Sequence, residues 1–217
     1  PHTTTRRQRQ MCIRDSGSIT GLVVGGLPDG SVDADTLASN AVTTVKIADD
    51  AVTSAKSVLT EGIKMVDQWR LTANTSITAS TGYFIDSNWE RVDSDNFGQL
   101  GTGMTESSGV FTFPTTGIYL IQTTTNFRNP NSNSGGYAYI TVSTNGGSSF
   151  DDAALSLTRV SVSASYSSAT CSHVLDVTDT SQIKVMLKVY VTANNTVAEG
   201  NTNRTMTGMT FMRLGDT

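Results

Sequence analysis

Between Ile183 and Val191 the sequence alternates without a break. Ile183, Val185, Leu187, Val189 and Val191 take every second position, with Lys184, Met186, Lys188 and Tyr190 between them. A period of two does not fit a helix; it sends one set of side chains to a core and the other to the opposite face of a strand. Similar short runs recur at Gln68–Thr72, Gly82–Asp86, Trp89–Val92, Gly109–Phe113, Gly117–Phe127, Gly136–Ser143, Leu155–Val162, Ser165–Val177 and Thr205–Leu214. Clusters rich in Asn, Gly and Ser at 129–136, 144–149 and 193–203 separate several of them and read as turns. About ten evenly spaced strands in about 150 residues predict an all-β jelly-roll sandwich, two sheets packed face to face. Composition agrees: the chain has 34 Thr and 25 Ser, and only 16% of its residues are charged, against ~25% in an ordinary soluble domain. Thr is β-branched and suits a half-buried pleated face, while Ser suits turns.

Residues 1–16 have no apolar period and no apolar core of a signal peptide. The string RRQRQMCIRDS, Arg6 to Ser16, resembles the translation of an adapter that transposase-based sequencing libraries attach to DNA. The segment is therefore expected to be an artefact, and Gly17 need not be the natural start. The alternative is a short basic arm for an anionic partner. Without it the chain carries 11 basic and 18 acidic residues, net −7. That balance speaks against nucleic acid, which calls for a basic stripe. Cys12 also goes, leaving Cys171 alone, so neither an intrachain disulfide nor a multi-cysteine metal site can form. No run of ~18 apolar residues occurs, so no helical membrane span is expected.

Upstream of the strands, GSITGLVVGGLPDG (17–30) reads as extended chain with turns. Three decapeptides follow, GSVDADTLAS (30–39), NAVTTVKIAD (40–49) and DAVTSAKSVL (50–59), aligned on Val32, Val42 and Val52. Units so short cannot bury their own apolar residues, so the repeat implies stacking or wrapping between identical chains. Two other readings stay open. One is a low-complexity linker. The other is a helical seam through Val42, Val45, Ala48, Val52, Ala55, Leu59, Ile63 and Val66, spaced by three or four. The expected organisation is an artefactual segment 1–16, a repeat or shaft segment 17–66 and a sandwich domain 67–217.

Specific strings then carry a resemblance. GVFTFPTTGIYLIQTTTNF (109–127) resembles the strand, turn and strand of the C1q and tumour-necrosis-factor-like domains, with Phe111, Phe113, Pro114, Gly117, Ile118 and Tyr119 on matching positions. YAYITVSTNGG (137–147), CSHVLDVTDTSQIKVMLKV (171–189) and GMTFMRL (208–214) resemble later strands of the same domains. The turn after Asp179 lacks the family's usual Gly, and 166–171 is unusually Ser-rich. The string ITGLVVGGLPDGSVDADTLASNAVTTVKIADDAVT (19–53) resembles repeats of bacteriophage tail fibres. Together these resemblances imply a homotrimer, a fibre shaft carrying a globular tip. They point to an extracellular virion protein that adsorbs to a host surface glycan or protein and contacts other tail proteins. The alternatives are an architectural trimerisation or capsid-decoration module without a ligand, and a secreted bacterial C1q-like protein.

No catalytic set or cofactor motif is evident, so neither an enzyme nor a cofactor is expected. Outside the first sixteen residues the chain has one Cys and one His, Cys171 and His173, on the same face of an expected strand. A buried Cys more often acts as a small hydrophobe. Asp151 with Asp152, and Asp93 with Asp95, fall short of a Ca²⁺ loop in ligand number and spacing. What remains is recognition by loops at 128–136, 144–150 and 193–204. The candidate ligand-binding residues are Asn131, Asn133, Tyr137, Asn145, Phe150, Asn194, Asn195, Asn203 and Arg204, whose amides and rings suit a sugar. Tyr139 is a further stacking candidate, and Tyr190 and Met186 are candidates for contact between copies.

Overall fold

The computed structural model describes residues 39, 41–48, 51–52, 62–94, 96–130, 133–161 and 165–217. The adapter-like segment, residues 17–30 and most of the repeats lie outside the described residues. The chain divides into two units, Pro1–Thr60 and Glu61–Thr217. In the first, Thr44–Lys46 form a 3-10 turn, and Lys46 Nζ donates to the Ala41 carbonyl at 2.7 Å. Val42, Val45, Ile47 and Val52 are all exposed. No α-helix forms among the described residues of the repeats, so the helical seam is not realised there.

Among the described residues the second unit contains thirteen strands: β1 (Met65–Leu71), β2 (Thr75–Ile77), β3 (Tyr83–Phe84), β4 (Trp89–Arg91), β5 (Thr105–Ser107), β6 (Val110–Thr112), β7 (Gly117–Asn129), β8 (Ser134–Ser143), β9 (Asp151–Val160), β10 (Ser165–Val177), β11 (Lys184–Val191), β12 (Thr196–Ala198) and β13 (Gly208–Gly215). They form two antiparallel sheets, the expected jelly roll. The seven-stranded sheet runs β2-β12-β7-β13-β1-β4, with β10 on the other edge of β7. The six-stranded sheet runs β5-β6-β11-β8-β9, with β3 also paired to β11.

The inward faces meet on an aromatic centre. Phe111 packs edge-on against Trp69 and Trp89, with centroids at 5.6 and 5.1 Å, and tilts against Phe211 at 5.0 Å. Phe113 meets Tyr119 at 4.7 Å. Each such pair contributes about 0.5–1.5 kcal/mol beyond area burial. Tyr119 is fully buried, and its hydroxyl donates to the Thr115 carbonyl at 2.9 Å. The turn into β6 depends on Gly109: φ is +78°, and a Cβ there would stand 2.2 Å from the Ile85 oxygen.

Ile183, Val185, Leu187, Val189 and Val191 are buried as the alternation requires. Three strands escape the sequence reading: β2, β5 and β12, each of three residues and too short for a period. β12 lies inside 193–203, expected as a turn. Thr196 and Ala198 are buried, and the strand pairs with β2 on one side and β7 on the other. Met186, proposed for contact between copies, is buried. Strand β9 begins at Asp151, because a bulge opposite Ile140 and Thr141 carries its pairing out to Val142.

Candidate functional site

The candidate ligand loops separate to different parts of the sandwich. In β7, Gly117 stands opposite Val177, and Asn129 stands opposite Ser165. In β8, Gly136 faces Val191 and Ser143 faces Lys184. Asn133, Asn194 and Asn195 therefore lie at the Asn129 end, and Asn145 and Phe150 at the opposite end. Asn131 lies outside the described residues. Several of the amides are already engaged. The Asn194 side-chain oxygen accepts from Ala79 N at 3.0 Å, and its carbonyl accepts from Asn129 Nδ2 at 3.0 Å. Asn145 shapes its own turn: Oδ1 accepts from Ser143 Oγ at 2.8 Å and Ser149 N at 3.0 Å, while Nδ2 donates to Ser149 Oγ at 2.8 Å. Asn195 is exposed at φ 63°, a conformation Asn adopts more readily than most residues. Asn203 and Arg204 flank a depression of about 240 Å³ with Arg70, Ser94 and Phe97.

The outward face of the seven-stranded sheet is ordered in rows, because residues paired across antiparallel strands share a face. One row is wholly apolar. Leu100 bridges Val66, Val66 pairs with Met212, Met212 with Leu120, and Leu120 with Val174. At ~4.8 Å per strand it spans roughly 19 Å. Its outer members, Leu100 and Val174, are 46% and 56% exposed. The next row is polar and uncharged, Gln68–Thr210–Gln122–Ser172. Its Gln68, Thr210 and Gln122 line a depression of about 250 Å³ with Thr124, Thr170 and Thr205.

Exposed apolar side chains also flank one side edge, where β9 and β10 end their sheets: Leu155 and Leu157 on the outward face of the six-stranded sheet, and Tyr166 on that of the seven-stranded sheet. Leu155, Leu157 and Tyr166 are 49%, 66% and 63% exposed. Inward-facing Ser167, Cys171, His173 and Leu175 of β10 stay half-buried instead of sealed, so this side of the sandwich is incompletely closed.

The outward face of the six-stranded sheet is aromatic. Tyr190 pairs with Tyr137, their rings edge-on at 5.3 Å, and the row ends at Leu157. The neighbouring row runs Phe84–Lys188–Tyr139–Leu155. Lys188 Nζ lies 4.4 Å from the Tyr139 ring centroid and also pairs with Asp152. Burial first, then the Asp152 charge, pushes the Tyr139 hydroxyl above its ordinary value. Phe84 meets Phe150 at 5.9 Å. Of the ring candidates, Tyr137 and Tyr139 thus share a face with Tyr190, and Phe150 borders it.

The buried charges serve the fold. Asp67 is fully buried and accepts from Arg91 Nε (2.9 Å), Arg91 Nη2 (3.2 Å), Trp69 Nε1 (2.9 Å) and Met104 N (2.7 Å). Arg70, also buried, is held by Glu90 at 2.7 Å, Asp93 at 2.9 Å and Ser94 Oγ at 2.8 Å. Asp93 and Asp152 are therefore committed to cations, and among the described residues no three His, Cys, Asp or Glu cluster as metal ligands. Cys171 and His173 do point to one side of β10. The thiol donates to the Ala138 carbonyl at 3.6 Å, and burial pushes its pKa up, the reverse of nucleophile activation.

No family model and no curated protein matches the chain. Among solved structures, Eiger TNF from S. frugiperda aligns with a TM-score of 0.52 at 9% identity, over 72% of this chain and 96% of that one. Murine APRIL at pH 8.0 aligns with a TM-score of 0.48 at 15% identity, over 69% of this chain and 98% of that one. At 9% identity the Eiger likeness is one of fold: the sandwich of β1 to β13 is a jelly roll of the tumour-necrosis-factor type.

Proposed function

We propose that this chain is a homotrimeric fibre protein of a virion, whose jelly-roll tip adsorbs to a host cell surface. The observation that carries the self-association is the pair of unlike apolar surfaces on one domain: the row Leu100–Val66–Met212–Leu120–Val174 on one sheet face, and Leu155 with Leu157 on the outward face of the edge strand β9. Exposed apolar surface of this kind marks interaction sites. Two different surfaces that cover one another from copy to copy make a heterologous contact, which closes into a ring when the rotation permits. Three is the number implied by the likeness to tumour-necrosis-factor-type domains. The exposed Val42, Val45 and Val52 of the repeats support the same reading, as apolar side chains of units too short to bury them alone.

The fibre and adsorption parts rest on the resemblance of residues 19–53 to tail-fibre repeats. Three copies of a weak site on one tip give avidity for a repetitive surface. Sedimentation equilibrium tests the first part: the expected mass is three times the 23.0 kDa chain, and a monomer at micromolar concentration overturns it. Pull-down of the labelled protein with a panel of bacterial cells tests the second. Cell-bound label, competed by unlabelled protein, is expected; no binding to any isolate refutes adsorption.

A further inference from the structure

Resting on the adsorption reading, we propose that the outward face of the six-stranded sheet is a stacking platform for a neutral saccharide, centred on Tyr137, Tyr190 and Tyr139. Six tyrosines occur in the chain. Tyr119 is sealed in the core and Tyr83 packs against it, yet three of the others stand on this one face in two adjacent registered rows. All three are half-buried, which fixes their rings while leaving part of each to solvent. Among the described residues, none of their three hydroxyls has a hydrogen-bond partner, whereas the Tyr119 hydroxyl is engaged at Thr115. A partly exposed ring with a free donor and acceptor at its rim matches the C–H face and hydroxyl edge of a pyranose.

Charge selects within that class. The one charge within these rows, Lys188, is neutralised by Asp152 across the Tyr139 ring, and the exposed Arg159, opposite Gly135, stands in the row beyond Tyr137. Binding an acidic sugar there would require breaking that pair; a neutral one leaves it intact and finds its polar atoms already in place. The platform is also distinct from the surface proposed for self-association on the sheet face, which lies on the other side of the sandwich. Its rows end at Leu155 and Leu157, so the aromatic face borders the edge where two copies would meet.

The experiment is affinity electrophoresis of the full chain in gels containing galactomannan, dextran or, as the acidic counterpart, alginate. Tyr137→Ala/Tyr190→Ala is the test variant, and Asn145→Ala and Asn203→Ala are the loop controls. Retardation by a neutral polysaccharide, weakened at least roughly tenfold in the double variant and kept in the loop controls, is the expected result. Tyr137→Phe/Tyr190→Phe serves where the alanines prevent folding; it keeps the rings, removes the free hydroxyls and is expected to weaken retardation severalfold. Retardation by alginate alone, by none of the gels, or equally in wild type and variants overturns the proposal. Loss of the trimer in a folded double variant overturns it as well, because the face is then covered by a second copy. Cell pull-down separates the two levels: binding that survives the double variant refutes the platform and leaves adsorption standing, and absent wild-type binding refutes adsorption.

Discussion

Replacing Leu120 by Glu puts a carboxylate at the centre of the apolar row, on the outward face of β7. Full burial of a Val, Leu or Met side chain is worth about 1.5–3 kcal/mol. The row's ends, Leu100 and Val174, are about half covered within the sheet, and Val66, Met212 and Leu120 are covered by roughly two thirds or more, so association recovers about 1 kcal/mol at each end, about 0.5 kcal/mol at each inner residue and about 3–4 kcal/mol for the row. The substitution removes one such increment and adds the desolvation of a charge, itself several kcal/mol. A loss of about 4–6 kcal/mol per contact, at ~1.4 kcal/mol per tenfold, raises each dissociation constant by roughly a thousandfold or more. Sedimentation velocity at micromolar concentration is expected to show the trimer peak replaced by monomer, with the far-ultraviolet circular dichroism of a β protein unchanged because the core is untouched. Leu155→Glu, on the other surface, should act alike, since each contact uses one copy of each surface. Thr105→Glu, exposed on the far edge strand β5, should leave the mass unaltered. A Leu120→Glu protein that sediments as wild type refutes the assignment of this row.

Asp67→Ala strands two buried N–H donors, Trp69 Nε1 and Met104 N, and leaves Arg91 without its carboxylate; a loss of about 3–5 kcal/mol is expected in urea unfolding at fixed protein concentration, and under about 1 kcal/mol contradicts the anchoring role. Thr125 is fully buried and its hydroxyl has no partner among the described residues. Thr125→Val should therefore stabilise by about 1 kcal/mol, read as a higher urea midpoint at equal slope. Burial pushes the Cys171 thiol pKa up from its ordinary value, so at neutral pH it holds less thiolate than a free cysteine. Labelling by an aromatic disulfide reagent should be slower than for a free thiol at pH 7.5 and still incomplete in its rise at pH 9; an opposite, fast reaction at pH 7.5 refutes the buried placement.

The alternation that opened the reading was legible because β11 has a uniform core on one side. The strings at 109–127, 137–147 and 208–214 were legible for a similar reason: Phe111, Phe113, Tyr119 and Phe211 must meet at the centre, so their order along the chain is constrained. The three-residue strands β2, β5 and β12 exist through pairing alone, and no period can announce them. The loops were read from their amides, and amides there do two jobs. Asn129, Asn194 and Asn145 hold the turns that a reader of composition takes for ligand sites. Rings were better guides, because Tyr137 and Tyr139 sit on strands whose side-chain direction the sequence does fix.

One signal in the sequence did point to the apolar row. Ile118, Tyr119, Leu120 and Ile121 form an unbroken apolar run, where a strand wet on one face alternates. Tyr119 and Ile121 face the core, so Ile118 and Leu120 require a cover of their own. The low charge of the chain then has a physical reason. Beside the apolar row stand Gln68, Thr210, Gln122 and Ser172, and beyond them Arg70, already neutralised by Glu90 and Asp93. A face that meets only water gains solubility from charge. A face that is to be desolvated against another copy does better with hydroxyls and amides, whose burial costs a few kcal/mol at most when paired, than with ions, whose burial costs far more. The abundance of Thr and Ser over Lys and Glu is thus what a sandwich carrying an apolar row beside a polar, uncharged one favours.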